Sequence, residues 1–170
     1  VQDAGRVGYA AQGYRSCGAA DGYAYRLGNV LVGNDPGAAV LECTLRGAAL
    51  RFETDTVFAL TGAESPAALD STPVPYYAPL LAKAGSVLQM GAAKTGLRSY
   101  LAVGGGIATP PVLGSRATDV KCGIGGLEGR KLTVGDTLPI VSCDTPALWQ
   151  AITAKRLDRP LRDKTVCGEL

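Results

Sequence analysis

The fold turns on the stretch Arg98-Ser99-Tyr100-Leu101-Ala102-Val103-Gly104-Gly105-Gly106-Ile107-Ala108-Thr109-Pro110-Pro111-Val112-Leu113-Gly114-Ser115-Arg116-Ala117-Thr118. An apolar run, Leu97 to Val103, has the length and composition of a buried strand. Three glycines end it, and Pro110 and Pro111 then forbid a helix. A polar cluster follows, with Ser115, Arg116 and Thr118 close together. Glycines leave backbone N–H groups uncovered, and arginine brings a fixed fork of donors. The combination suits an anionic or carbonyl-bearing ligand. It equally suits a sharp turn at a sheet corner.

Upstream, Val40–Leu45, Ala49–Thr54, Thr56–Thr61 and Val87–Met90 read as further short strands, separated by Arg46-Gly47, Asp55 and Ala84-Gly85-Ser86. Pro66, Pro73, Pro75 and Pro79 consign the section between them to edges and loops. Asp21 reads as the N-cap of a helix running to Val32, with Tyr25, Leu27, Val30 and Leu31 on its apolar face. Gly33, followed by Pro36, stops it. Residues 1–19 read as loops with short extended pieces. Downstream, Lys131–Val134 and Thr137–Val141 read as a hairpin about Gly135-Asp136, and Pro146 opens a short helix to about Arg156. From Leu157 the chain reads as a linker or end. Many short strands with one early helix predict a mainly β fold, a small barrel or sandwich.

Composition narrows the function. The net charge is +2 with no block of like charge, so neither nucleic acid nor an anionic membrane is expected as a partner. No apolar stretch is long enough to span a bilayer. The chain contains no histidine, which removes Ser-His-Asp and Cys-His mechanisms within it. Cys17, Cys43, Cys122, Cys143 and Cys167 show no C-x-x-C spacing, so no metal site is expected. They are read as reduced, mostly buried thiols of a cytoplasmic protein. The chain opens on Val1-Gln2-Asp3 without an initiator methionine, as a mature domain or a fragment would.

Two nucleotide motifs fail on inspection. Gly91-Ala92-Ala93-Lys94-Thr95 lacks the glycine before lysine that a phosphate loop needs, and reads as a hairpin loop. Gly104-x-Gly106-x-x-Thr109 lacks both the third glycine and the following helix of a dinucleotide fingerprint. Among the carboxylates, Asp3, Glu42, Asp119 and Glu128 are open candidates, while Asp136 suits a turn. Glu42 shares a strand face with Val40 and Thr44, either solvated or buried with a partner. Arg6, Arg98, Arg116 and Arg130 each stand beside glycine or at a strand start, where carboxylate or carbonyl recognition is feasible.

Taken in order, V-Q-D-x-G-R-x-G at Val1, G-A-x-D at Gly18, N-x-L-V-G-N at Asn29, L-E-x-T at Leu41, L-T-G-A at Leu60, R-x-Y-L-A-V-x-G-G-I at Arg98, L-G-S-R-x-T at Leu113 and G-G-L-x-G-R at Gly125 form one set. That set resembles the biotin-dependent carboxyltransferase family, whose members are also known as the allophanate hydrolase second subunit, KipA or the 5-oxoprolinase C subunit. The resemblance covers residues 1 to 141 and corresponds to the N-terminal half of a family member. It implies a cyclophilin-like β-barrel over 1–141, with 142–170 a linker or the start of a second half.

The resemblance also implies partners: a sister chain, called KipI or the 5-oxoprolinase B subunit, and a small amide substrate. ATP or carboxybiotin would come from partner subunits, with no cofactor held by this chain. The implied activities are opening of 5-oxoproline to glutamate and carboxyl transfer to urea. A regulatory, non-catalytic role beside the KipI-like subunit is the alternative. The expected chemistry is polarisation of a carbonyl by the N–H groups of Gly104, Gly105 and Gly106, with Arg116 stabilising negative charge. Arg116 and Ser115 are the expected catalytic residues. Thr118, Arg98, Gly125, Gly126 and Arg130 complete the expected substrate site. The family's G-x-P-x-S-G-A-M-D stretch is altered here, with Arg15, Cys17 and Ala20 at the proline, serine and methionine positions and Gly22 in place of a common proline.

Overall fold

Every residue from Thr56 to Thr61 is buried, and the computed structural model, which describes residues 1–158, puts that segment at the centre of the fold. Eight strands follow in chain order: β1 Leu41–Thr44, β2 Ala49–Arg51, β3 Thr56–Gly62, β4 Ala67–Leu69, β5 Thr72–Pro73, β6 Pro79–Ala82, β7 Val87–Met90 and β8 Arg98–Val103. Helix α1, Gly22–Leu31, precedes them and α2, Thr145–Asp158, follows. The strands form two antiparallel sheets, ordered β1-β8-β3-β6 and β2-β7-β4-β5.

The first sheet is covered on both faces, so its central strands carry continuous apolar runs in place of simple alternation. Leu41, Phe58, Leu60, Leu101 and Val103 point toward Leu88 and Met90 of the second sheet. Register places Leu101 opposite both Leu41 and Leu60, which makes one continuous row. On the other face Val40, Val57, Ala59, Tyr100 and Ala102 pack against Ala24 and Tyr25 of α1 and Leu148 and Ile152 of α2. The layers therefore run helices, sheet, sheet. Each fully buried leucine or phenylalanine contributes roughly 1.5–3 kcal/mol of transfer free energy.

Helix α1 starts where Asp21 accepts the N–H groups of Tyr23 and Ala24, as its sequence predicts. It ends before Gly33, whose φ of +73° suits glycine. Its buried face differs from the expected one: Val30 is exposed, while Gly28 and Asn29 face inward. A Cβ on Gly28 would stand 3.0 Å from Thr61 Oγ1, so glycine is what brings the helix onto β3. Asn29 donates to the Ala38 carbonyl at 2.8 Å and accepts from Asn34 at 3.0 Å. Asn34 in turn donates to the Val103 carbonyl and accepts the Gly105 N–H.

The mainly β reading holds, with a qualification about closure. The chain changes sheet at every connection between successive strands except β4–β5, and no closed barrel forms among the described residues. Prolines at both ends of the β5–β6 passage, Pro73 and Pro79, remove ladder donors there and leave β5 and β6 as edges. The 91–96 segment is not a hairpin loop, because it carries the chain from β7 in one sheet to β8 in the other. The hairpin expected over 131–141 forms only its turn. Its backbone groups pair elsewhere, Pro139 O with Ala108 N–H and Val141 N–H with Gly106 O. Helix α2 contains the segment predicted from Pro146. Cys43 is buried, Cys17 is half-buried, and Cys122 and Cys143 are exposed, so the thiols are not mostly buried. Cys167 and the stretch beyond Asp158 lie outside the described residues. No described helix is long and apolar enough to cross a membrane.

Tyr25 is 1% exposed and its hydroxyl has no hydrogen-bond partner. Burial, aided by the Asp3 charge, pushes its pKa up to about 12 from 10.0. The neutral hydroxyl is thus favoured in the fold. Its contribution is complete below pH 10 and is lost as pH rises from 10 toward 12. Tyr25→Phe is expected to raise stability at neutral pH by about 1 kcal/mol, since an unpaired buried hydroxyl disappears. The variant should also lose less stability than the parent across that alkaline window, as measured by urea unfolding at each pH. Identical pH slopes in the two proteins would refute this account.

Candidate functional site

The site begins with one buried carboxylate. Asp3 is 8% exposed and accepts three donors: the Gly5 N–H at 2.8 Å, Ser115 Oγ at 2.7 Å and the Arg116 N–H at 2.5 Å. Ser115 Oγ also accepts the Ala117 N–H at 3.0 Å. Arg6 is buried beside this knot and donates to the carbonyls of Val112 and Ala117. The second glycine loop lies flat on residues 116–118, with the Gly126 N–H on the Arg116 carbonyl at 2.8 Å. A Cβ on Gly125 would overlap the Ala117 carbonyl, and one on Gly126 would overlap Thr118 Oγ1. Here the two glycines serve close approach of backbone to backbone.

Next to the knot is an open cavity of about 230 Å³, lined by Gln2, Arg15, Cys17, Thr118, Asp119 and Lys121 among others. Asp119 is 2% exposed. Its Oδ1 accepts the N–H groups of Lys121 at 3.0 Å and Cys122 at 3.2 Å, while Oδ2 is buried without a partner. Burial acts to raise its pKa, yet the donors at Cys122 and Lys121 outweigh it and hold the carboxyl below the ordinary range. Burial and the adjacent Asp119 charge push the Cys17 thiol up, which keeps it protonated and poorly nucleophilic. Arg116 Nε and one Arg6 Nη are likewise buried and unpartnered.

A second, larger cavity of about 640 Å³ opens at the start of α1, between the end of β3 and the start of β8. Arg98 and Asp21 line it. Behind it, Glu42 accepts from Arg98 at 3.3 Å, from Tyr100 at 2.8 Å and from the Ala20 N–H at 2.9 Å. Glu42 is therefore the partnered carboxylate of the two alternatives its position allowed. Tyr100 also accepts the Asp21 N–H at 2.7 Å, and burial together with Glu42 raises its pKa well above the ordinary range. Arg98 makes a further hydrogen bond to Thr44.

The sequence-derived residues do not converge on one place. Thr118 lines the smaller cavity and Arg98 the larger. Arg130 lines neither: both its Nη atoms bind Asp136, at 2.7 and 2.9 Å, and Glu128 is also close. That pairing raises the Arg130 pKa and lowers that of Asp136. The N–H groups of Gly104, Gly105 and Gly106 are all occupied, by Val57 O, Asn34 Oδ1 and Val103 O. The triplet is thus the sheet corner, and its amides are not a row of free donors. A Cβ on Gly104 would meet Leu148 of α2 at 2.9 Å, which explains glycine there. The cavity roles of Gln2, Arg15, Cys17 and Lys121 escaped the sequence reading. The unusual residues at positions 15 and 17 were the available signal. Among the described residues, no group of three or more Cys, Asp or Glu could hold a metal.

The family described as "Carboxyltransferase domain, subdomain A and B" matches residues 12–168 of this chain. The C subunit of 5-oxoprolinase from Escherichia coli (strain K12) is 54% identical over 140 residues, covering 82% of this chain and 45% of that protein. The urea amidolyase of Saccharomyces cerevisiae is 41% identical over 139 residues, covering 81% of this chain and 8% of that protein. The solved urea carboxylase of Kluyveromyces lactis superposes with a TM-score of 0.81 at 39% identity, over 87% of this chain and 13% of that one. The chain spans less than half the length of the E. coli protein.

The Asp3 knot makes a direct prediction. Asp3→Asn turns one of the two acceptor oxygens into a donor facing a donor, and should cost about 2 kcal/mol in urea unfolding. Amide exchange at Gly5, Arg116 and Ala117 should accelerate together. Unchanged protection at Arg116 would show that the knot does not hold the loop.

Proposed function

This chain belongs to the carboxyltransferase domain family, subdomains A and B, and from that membership we propose that it is the carboxyltransferase-type component of a multi-subunit 5-oxoprolinase. The observation that carries this reading is the 54% identity to the C subunit of a 5-oxoprolinase, against 41% to a urea amidolyase over a similar span. In this reading the complex opens 5-oxoproline to glutamate at the cost of ATP, and the chain acts beside a sister chain of the 5-oxoprolinase B kind. Gly104–Gly106 offer no free amides to a phosphate, and Ala93 stands where a phosphate loop needs glycine. In this reading ATP, or carboxybiotin in a transferase, comes from partner subunits.

The chemistry assigned to this chain is electrostatic. Arg116 keeps a buried Nε free of internal partners, and its guanidinium stabilises negative charge on the oxygen of an attacked amide. Thr118 borders the cavity and orients the substrate. Ser115 acts at one remove, because its hydroxyl is committed to Asp3 and to the Ala117 N–H; it is a positioning residue. With no histidine in the chain, the proton moves through the partner or the substrate.

The test reconstitutes the full-length protein with its sister subunits and compares 5-oxoproline plus ATP with urea plus carboxybiotin. Release of glutamate is the expected outcome. Carboxylation of urea would move the assignment to the urea enzymes, and binding of a KipI-like subunit without turnover would make the chain a regulatory partner. In the active complex, Arg116→Ala should lower kcat by about 100-fold while KM changes little. Turnover equal to the parent would remove Arg116 from the mechanism.

A further inference from the structure

We propose that the smaller cavity is a recognition site for a small amide, with Asp119 Oδ2 accepting the amide N–H and Arg15 and Lys121 facing its carbonyl or carboxylate oxygens. The site rests on geometry alone, whereas the choice of a lactam as its ligand rests on the function proposed above.

The argument starts from an unmet acceptor. Asp119 is 2% exposed, lines the cavity and has one carboxylate oxygen with no partner. A buried carboxylate oxygen left without a donor is costly, so the arrangement calls for a donor from outside the chain. The thiols of Cys17 and Cys122 lie beside this carboxylate and are weak donors. Gln2 donates to the Thr118 carbonyl and accepts the Gly18 N–H, and makes no bond to Asp119 Oδ2.

The rest of the lining selects the ligand. Arg15 and Lys121 make no side-chain hydrogen bond or ion pair among the described residues. Two cations lining the cavity with one carboxylate disfavour a metal ion or an ammonium group and favour a neutral N–H donor carrying an electron-rich oxygen. Amides, lactams and ureas combine the two. A cavity of about 230 Å³ holds a molecule of a few heavy atoms, below the usual size of drug-like pockets. Asp119 is then a specificity-determining residue: a site built around an N–H acceptor rejects ligands that lack the donor.

Lactam binding to the full-length protein tests this by calorimetry, with 5-oxoproline, 2-pyrrolidinone and N-methyl-2-pyrrolidinone as probes. The parent should bind 2-pyrrolidinone at least about tenfold more tightly than its N-methyl derivative, which has no N–H. Asp119→Asn keeps Oδ1 for the Lys121 and Cys122 amides and turns a donor toward the ligand. It should weaken 5-oxoproline and 2-pyrrolidinone by about tenfold and abolish the discrimination. Glu64→Gln, in the larger cavity, should bind as the parent does. Should Asp119→Asn fail to fold, Arg15→Ala with Lys121→Ala should weaken 5-oxoproline severalfold and leave 2-pyrrolidinone nearly unchanged. Equal binding of the two pyrrolidinones, full affinity in Asp119→Asn, or no binding of any probe would each overturn the proposal. Discrimination that survives in an assembly active on urea alone would keep the site and discard the 5-oxoproline reading.

Discussion

One buried carboxylate ties the beginning of the chain to a loop more than a hundred residues later. Asp3 gathers donors from Gly5, Ser115 and Arg116, and the placement of everything beside them follows. The loop held by Asp3 continues into Thr118 and Asp119, which line the smaller cavity, and supports the glycine turn at 125–126. An ionised acceptor buried among three donors gives charge-assisted bonds of well-defined geometry. A neutral side chain of similar size cannot supply the same acceptor count. The polar site is thus built on a contact made before its own chemistry is considered.

Backbone and side chains divide the work. The glycine-rich segments look like ligand cradles, yet their amides bind within the fold: Gly104–Gly106 at the sheet corner, Gly126 on the Arg116 carbonyl. What remains unpartnered is held by side chains, namely Asp119 Oδ2, Arg116 Nε and one nitrogen of Arg6. The unpartnered groups in this half of the fold are thus a few charged side chains set on a closed backbone. In the Arg98–Glu42–Tyr100 network near the larger cavity the charged and hydroxyl groups bond to one another, and Arg98 Nε is left without a partner. The network reads as a brace joining β1, β8 and the start of α1.

Local patterns were legible where local physics decides. The Asp21 cap, the Gly33 stop, β3, β7 and β8 are set by neighbours in sequence, and each forms where its residues predict. The 131–141 hairpin was misread because alternation shows that a segment is extended without showing its partner, and its partners are Gly106 and Ala108. The inward Gly28 and Asn29 were missed for a related reason: a hydrophobic-face count overlooks a glycine that permits contact and an amide that is fully bonded. Ser115, Arg116 and Thr118 were recognised as a cluster, but the carboxylate organising them stands at the far end of the sequence. Of the cavity residues, Asp119 and Thr118 were in view and Arg15 stood out only as a departure from the family's stretch, whereas Lys121 carried no local signal and joins them only through the fold.

The order of strands carries a consequence for synthesis. β8 is the last strand made, yet it lies between β1 and β3. Until it emerges from the ribosome, β1 has no ladder partner in its sheet, and β3 presents Phe58 and Leu60 with only β6 alongside. For that interval the nascent chain exposes open edges and an apolar row, the conditions under which strands from different chains pair. Completion of the first sheet thus waits for β8, the strand that joins β1 to β3.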